Sequence, residues 1–110
     1  MAYDEALADR VRDVIGVRSA LTEKKMFGGV AWMIGGNMAC GVIGDELIVR
    51  LDREEADAAL GEPHVRAFDF TGRPMRGFVV VGPEAIAEPG DLTRWVDCGA
   101  DYAASLPAKG

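Results

Sequence analysis

Leu7, Val11, Val14 and Ile15 recur at helical spacing and predict an amphipathic helix over Asp4 to Ile15. Asp9, Arg10, Arg12 and Asp13 fill its outer side, and Gly16 stands where a helix stops. The pattern then becomes extended. Three strands are predicted over Lys25 to Ile34, Met38 to Ile43 and Leu47 to Leu51. Their connections, Gly35-Gly36-Asn37 and Gly44-Asp45-Glu46, are hairpin signals because glycine and asparagine accept positive φ. A short helix from Arg53 to Leu60 ends at Gly61, and two further strands, Arg66 to Phe70 and Gly77 to Val81, flank the turn-forming stretch TGRPMRG. Pro83 and Pro89 punctuate a connection to a last helix, Asp91 to Leu106. Asp91 is its expected N-cap, and Leu92, Trp95, Val96, Gly99, Ala103 and Leu106 form its apolar stripe.

The order α-βββ-α-ββ-α describes one α+β domain over residues 1–110. It predicts an antiparallel sheet of about five strands with helices packed mainly on one face. A dinucleotide-binding fold would alternate strands with longer helices, and this chain does not.

Side-chain alternation can be followed through the hairpins. A two-residue turn at Gly44-Asp45 puts Leu47, Val49 and Leu51 on one face with Val42, Cys40 and Met38. A two-residue turn within Gly35-Gly36-Asn37 continues that inner face to Met33, Ala31 and Phe27. The second face then carries Val30, Trp32, Ile34, Ala39, Gly41, Ile43, Ile48 and Arg50, with Ala39 and Gly41 leaving room for the indole. A three-residue turn would instead swing Trp32 inward. A wet sheet face should be polar, and this second face is not. Three helices, one of them short, cover one face well and two faces poorly. The expected cover is a second subunit, giving an isologous homodimer.

Composition narrows the possibilities. The hydrophobic share of 49% and charged share of 27% are those of an ordinary globular chain. No apolar run approaches the ~20 residues of a membrane span. The acidic, amphipathic start MAYDEALADRVRD does not resemble a signal peptide, so the expected location is the cytoplasm. A formal net charge of −6 argues against direct nucleic-acid binding, which needs clustered cations. Cys40 and Cys98 are expected to be free thiols, and a single His64 without a Cys-x-x-Cys pair leaves no ligand set for zinc.

The stretch TEKKMFGGVAWMIGG looks at first like a phosphate loop. It contains neither G-x-G-x-x-G nor G-x-x-x-x-G-K-[ST], and strand residues follow it where a phosphate loop would open a helix. Glycine inside a strand marks a bulge, a bend or a close backbone approach. Lys24 and Lys25 read as edge charges. No serine or threonine has a base suggested by its surroundings, and His64 in GEPHVRAF reads as solvated. Asp52, Glu54, Glu55 and Asp57 read as the capping and solvated side of a helix. No catalytic residue, cofactor or metal is therefore expected. Arg73 and Arg76 around Met75, joined by Arg50, form the one arginine cluster that could hold an anion.

Lys25-Met26-Phe27-Gly28-Gly29, a glycine-bearing hairpin and then GDELIVRLD (44–52) resemble the N-terminal domain of the TfoX/Sxy family. Phe68 to Phe70, Met75, Pro83 opening a short helical stretch, and Trp95 extend the resemblance over nearly the whole chain. The resemblance implies an α+β fold near the secretion-chaperone-like folds, which often dimerise through the sheet region. It also implies a non-enzymatic role. Named members are bacterial regulators of natural competence, coactivators with the cyclic-AMP receptor protein. Those regulators carry a second, helical C-terminal domain, so this chain is expected to be a stand-alone copy of the first. The family offers no catalytic residues to carry over.

The sequence thus points to a protein-interaction module of regulatory type, homodimeric and with an unidentified protein partner. Its expected surface comprises Lys24, Lys25, Met26, Phe27, Gly28, Gly29 and Trp32, with Arg50, Arg73, Met75 and Arg76 as a second candidate. The alternative is a domain that binds a small anionic ligand through the arginines.

Overall fold

The computed structural model describes residues 3–26, 28–70 and 73–108, without the side chains of residues 70 and 73–76. Asp4 opens the first helix: the backbone N–H groups of Ala6 and Leu7 donate to its Oδ1 at 3.0 and 3.2 Å. That helix, α1 (Glu5–Ile15), is followed by β1 (Leu21–Met26), β2 (Gly29–Ile34), β3 (Asn37–Ile43) and β4 (Glu46–Arg50). Then come α2 (Arg53–Ala59), β5 (Val65–Phe70), β6 (Arg73–Val81), a 3₁₀ turn at Pro83–Ile86, and α3 (Pro89–Ser105). The strands form one six-stranded sheet in the order β1-β2-β3-β4-β6-β5, every neighbour antiparallel.

The α+β architecture is the expected one, with one strand more. The segment expected as a single strand from Lys25 to Ile34 is a hairpin, because Met26 pairs with Gly29 and Gly28 takes φ 74°. Two other boundaries move. TGRPMRG is not simply a turn, since β6 begins at Arg73 and pairs with Phe70. The last helix starts at Pro89, whose fixed φ suits a first helical position, so Asp91 lies inside the first turn and is not the cap.

All three helices lie on one face. Leu7, Ala8, Val11 and Ile15 of α1, Ala56 and Ala59 of α2, and Leu92, Trp95, Val96, Ala100 and Ala103 of α3 share one core with the sheet. From the sheet come Val30, Trp32, Ile34, Ala39, Cys40, Val42, Leu47, Val49, Val79 and Val81. Val42, Cys40, Leu47, Val49 and Leu51 face inward as the alternation predicts. The residues of β2 and Met38 of β3 do not: Val30, Trp32 and Ile34 are inside, and Ala31, Met33 and Met38 fall on the other side.

The cause is a β-bulge. Gly35 and Gly36 make the expected two-residue turn, with Ile34 opposite Asn37 and Met33 opposite Met38. The next pair is Trp32 with Cys40, so Ala39 is an extra residue in β3 and the parity inverts beyond it. Adjacent Ala39 and Cys40 both reach the helix side, each fully buried. Above the bulge, α3 approaches so closely that a Cβ on Gly99 would lie 2.4 Å from the Ala39 carbonyl oxygen.

Trp32, 1% exposed, is fixed at its polar end by a network that joins α1 to the edge strand. Its Nε1 donates to Glu23 Oε1 at 2.9 Å, and Arg12 grips the same carboxylate at 2.7 and 3.0 Å. The Arg12 guanidinium carbon also stands 5.9 Å from the indole centroid. These hydrogen bonds, led by that of Arg12, hold the Glu23 carboxyl below its ordinary range against partial desolvation.

Three outcomes follow. Trp32→Ala should cost about 3–5 kcal/mol in urea denaturation, the range for a buried aromatic, so a glutamate there would report core loss instead of a subunit contact. Gly99→Ala should destabilise by about 1–3 kcal/mol, although alanine is the better helix former, because the new methyl meets backbone at the bulge. The Glu23 contribution is present above the ordinary glutamate range and is lost as pH falls through its depressed folded value. Stability measured against pH should therefore fall less steeply on the acid side in Glu23→Gln than in the wild type.

Candidate functional site

With the helices on one face, the other is built from the outward residues of the same strands. Ile48 of β4, Val80 of β6 and Phe68 of β5 form a second, smaller apolar cluster, against which Met38, Ile43 and Phe78 pack half-buried. Ile48 sits directly opposite Val80, and Arg50 directly opposite Phe78. Phe68 and Phe78 meet with ring centroids 6.2 Å apart and planes tilted by 52°. Met38 lies over the backbone of Gly41, its methyl 3.1 Å from where a Cβ would stand. Beside the cluster is a shallow concavity lined by Ile43, Ile48, Phe68 and Val80, with Glu46, Arg66 and Asp69 at its polar margin.

Charge on this face is organised in two ways. Glu46 and Arg66 form a two-bonded ion pair, with Nη2 to Oε1 at 2.7 Å, which lowers the Glu46 carboxyl below its usual range. Arg50 differs. Its guanidinium carbon lies 5.5 Å from the Phe78 centroid and 5.7 Å from that of Tyr102 on α3, bridging the sheet's end. Among the described residues no carboxylate or carbonyl meets it. Arg12, Arg18, Arg66 and Arg94 each hold a carboxylate, and Arg10 holds the carbonyls of Ile86 and Ala87.

The expected surface divides between the two faces. Lys24 pairs with Ala31 and Met26 with Gly29, which places both on the helix-free side, whereas exposed Lys25 pairs with Val30 on the helix side. Trp32 belongs to the core. Gly28 and Gly29 serve backbone geometry: Gly28 turns the hairpin, and a Cβ on Gly29 would fall 2.0 Å from the Val42 carbonyl oxygen. Phe27 lies outside the described residues. So do the side chains of Arg73, Met75 and Arg76, although β6 brings their backbone into the strand beside β4. Composition and alternation had no means of finding Tyr102 as a partner of Arg50, since that contact joins a half-buried helix position to a strand end.

Elsewhere the titratable groups serve the fold or stand alone. His64 has a half-exposed side chain at φ 64°, with Nδ1 3.8 Å from Glu84 Oε1, too far for a hydrogen bond. Burial pushes the Cys40 thiol up to about 12 and raises that of Cys98, so neither is primed as a nucleophile. In the acidic cleft around Cys98 and Tyr102, Asp52 caps α2 and Asp101 is held by Arg18 at 2.7 Å. Among the described residues, no three histidine, cysteine, aspartate or glutamate side chains are placed to share a metal ion. No described helix is long and apolar enough to cross a membrane.

Comparison with known proteins finds no match among curated chains. The family model of the TfoX N-terminal domain matches residues 15–103, a span that runs from the end of α1 through the whole sheet to the last turn of α3, and the chain belongs to that family.

Proposed function

We propose that this chain is a non-enzymatic protein-interaction module whose contact surface is the helix-free face of the sheet. The observation that carries the reading is the one-sided placement of α1, α2 and α3 over a sheet that is apolar on both faces. A single-layered sheet exposes its second face to water unless something covers it, and an antiparallel sheet left wet normally carries polar residues there. Here half-buried Met38, Ile43 and Phe78 form the rim of a dry centre. Methionines are adaptable contact residues, able to fit an incoming surface without a preset shape.

Membership of the TfoX N-terminal family supports a regulatory role of this kind. A cytoplasmic site of action agrees with two free cysteines. The formal charge of −6 favours a protein partner over nucleic acid.

The test compares charge substitutions at two separate surfaces. Ile43→Glu alters the helix-free face and Asp57→Lys alters the outer side of α2. Both should fold, by circular dichroism. Proteins crosslinked to the wild type in cells should be lost from Ile43→Glu and kept by Asp57→Lys. Equal recovery by both variants would remove the face from consideration. Light scattering on the same samples reads whether a second copy is among the occupants.

A further inference from the structure

Arg50 is the one half-buried arginine among the described residues whose guanidinium meets no oxygen, and it is held in place all the same. Phe78 and Tyr102 lie beside it from two elements, β6 and α3, with ring centroids 5.5 and 5.7 Å from the guanidinium carbon, within cation–π range. Ring faces beside a guanidinium restrict its movement and accept none of its in-plane N–H hydrogen bonds. A cation oriented in this way loses little conformational freedom when a carboxylate arrives.

We propose that Arg50 is the carboxylate-binding anchor of the helix-free face, and that its occupant is a segment of a partner protein in which glutamate or aspartate stands among apolar residues. The proposal rests on the interaction-face reading above and specifies what that face selects. Phe78 belongs both to the arginine clamp and to the rim of the apolar cluster, so the two halves of the surface are continuous. A small inorganic anion would engage only the guanidinium, whereas a protein segment also fills the concavity beside Ile43, Ile48 and Phe68.

Charge favours the same occupant. The face presents Lys24, Arg50 and Arg66 against Glu46 and the rim residue Asp69, in a chain that is acidic as a whole. A second copy would bring a second unpaired Arg50 to the contact. Its Glu46 is already held by Arg66, and its Asp69 lies on the far edge strand, so it supplies a poor match.

The experiment is an NMR titration of the ¹⁵N-labelled, methyl-labelled chain with two capped synthetic peptides, one alternating glutamate with leucine and the other lysine with leucine. The glutamate peptide should shift the Arg50 Nε–Hε resonance together with the methyls of Met38, Ile43 and Ile48. Arg50→Met should weaken that binding by about tenfold or more, the scale of a desolvated charge contact. Arg50→Lys keeps the charge and loses the planar fork, and should fall between them; it also provides the reading if the methionine variant is poorly folded. If both peptides bind the face equally and Arg50→Met changes nothing, the anchor is overturned while the face stands. If neither binds at about 1 mM, the limit of a weak contact, or if the shifts map to the helices, both fall. Inorganic phosphate alone shifting Arg50 with the affinity of the peptide would overturn the protein partner in favour of a small anion.

Discussion

The extra residue at Ala39 is the constraint from which the rest of the arrangement follows. A bulge inverts side-chain parity in one strand pair, and here it does so between the edge hairpin and the centre of the sheet. Without it, Trp32 would stand on the open face while Met33 faced the helices. With it, the largest side chain of the sheet enters the core and the methionines go outside. The bulge also sets the distance to the helix layer: Ala39 raises its carbonyl toward α3, and only a residue without a side chain fits above it. Gly99 is therefore the counterpart of Ala39, in a region where the helix crosses β3 and β4.

Burying Trp32 creates a second requirement, because its indole N–H must keep a partner. Glu23 meets it from the neighbouring strand, and Arg12 holds Glu23 from α1. One carboxylate thus connects edge strand, core and helix. It also removes Glu23 and Arg12 from any intermolecular use. The edge strand keeps Lys24 and Lys25 exposed, a common guard against unwanted strand pairing.

Much of this was legible in the residues. Helical spacing located α1 and α3, and Gly35-Gly36 and Gly44-Asp45 located both central hairpins. Leu47, Val49, Val42 and Cys40 were assigned inward correctly because their connection is a regular two-residue turn, through which parity can be counted. The same counting failed in β2 because a bulge leaves no dependable mark in sequence: Ala39 looks like any small strand residue. The hairpin joining β1 to β2 was missed because glycine at that point signals equally a bend, a bulge or a turn. Family resemblance in the KMFGG and DELIVRLD motifs was visible from the start, but it carried no information about which face each residue occupies.

That inversion changes the physical character of the candidate surface. A tryptophan on an open face would be a rigid anchor presented to a partner. The face that exists has flexible methionines around a small dry cluster, with Arg50 beside Phe78 and Tyr102 at the border. On the proposed reading, specificity would come less from shape, which methionine adapts, than from the charge of Arg50, which cannot be left against an apolar partner without cost. The two sides of the sheet therefore differ in character. The helix side uses close packing to fix one structure, and the other keeps an apolar area bordered by a guanidinium that, among the described residues, meets no carboxylate or carbonyl.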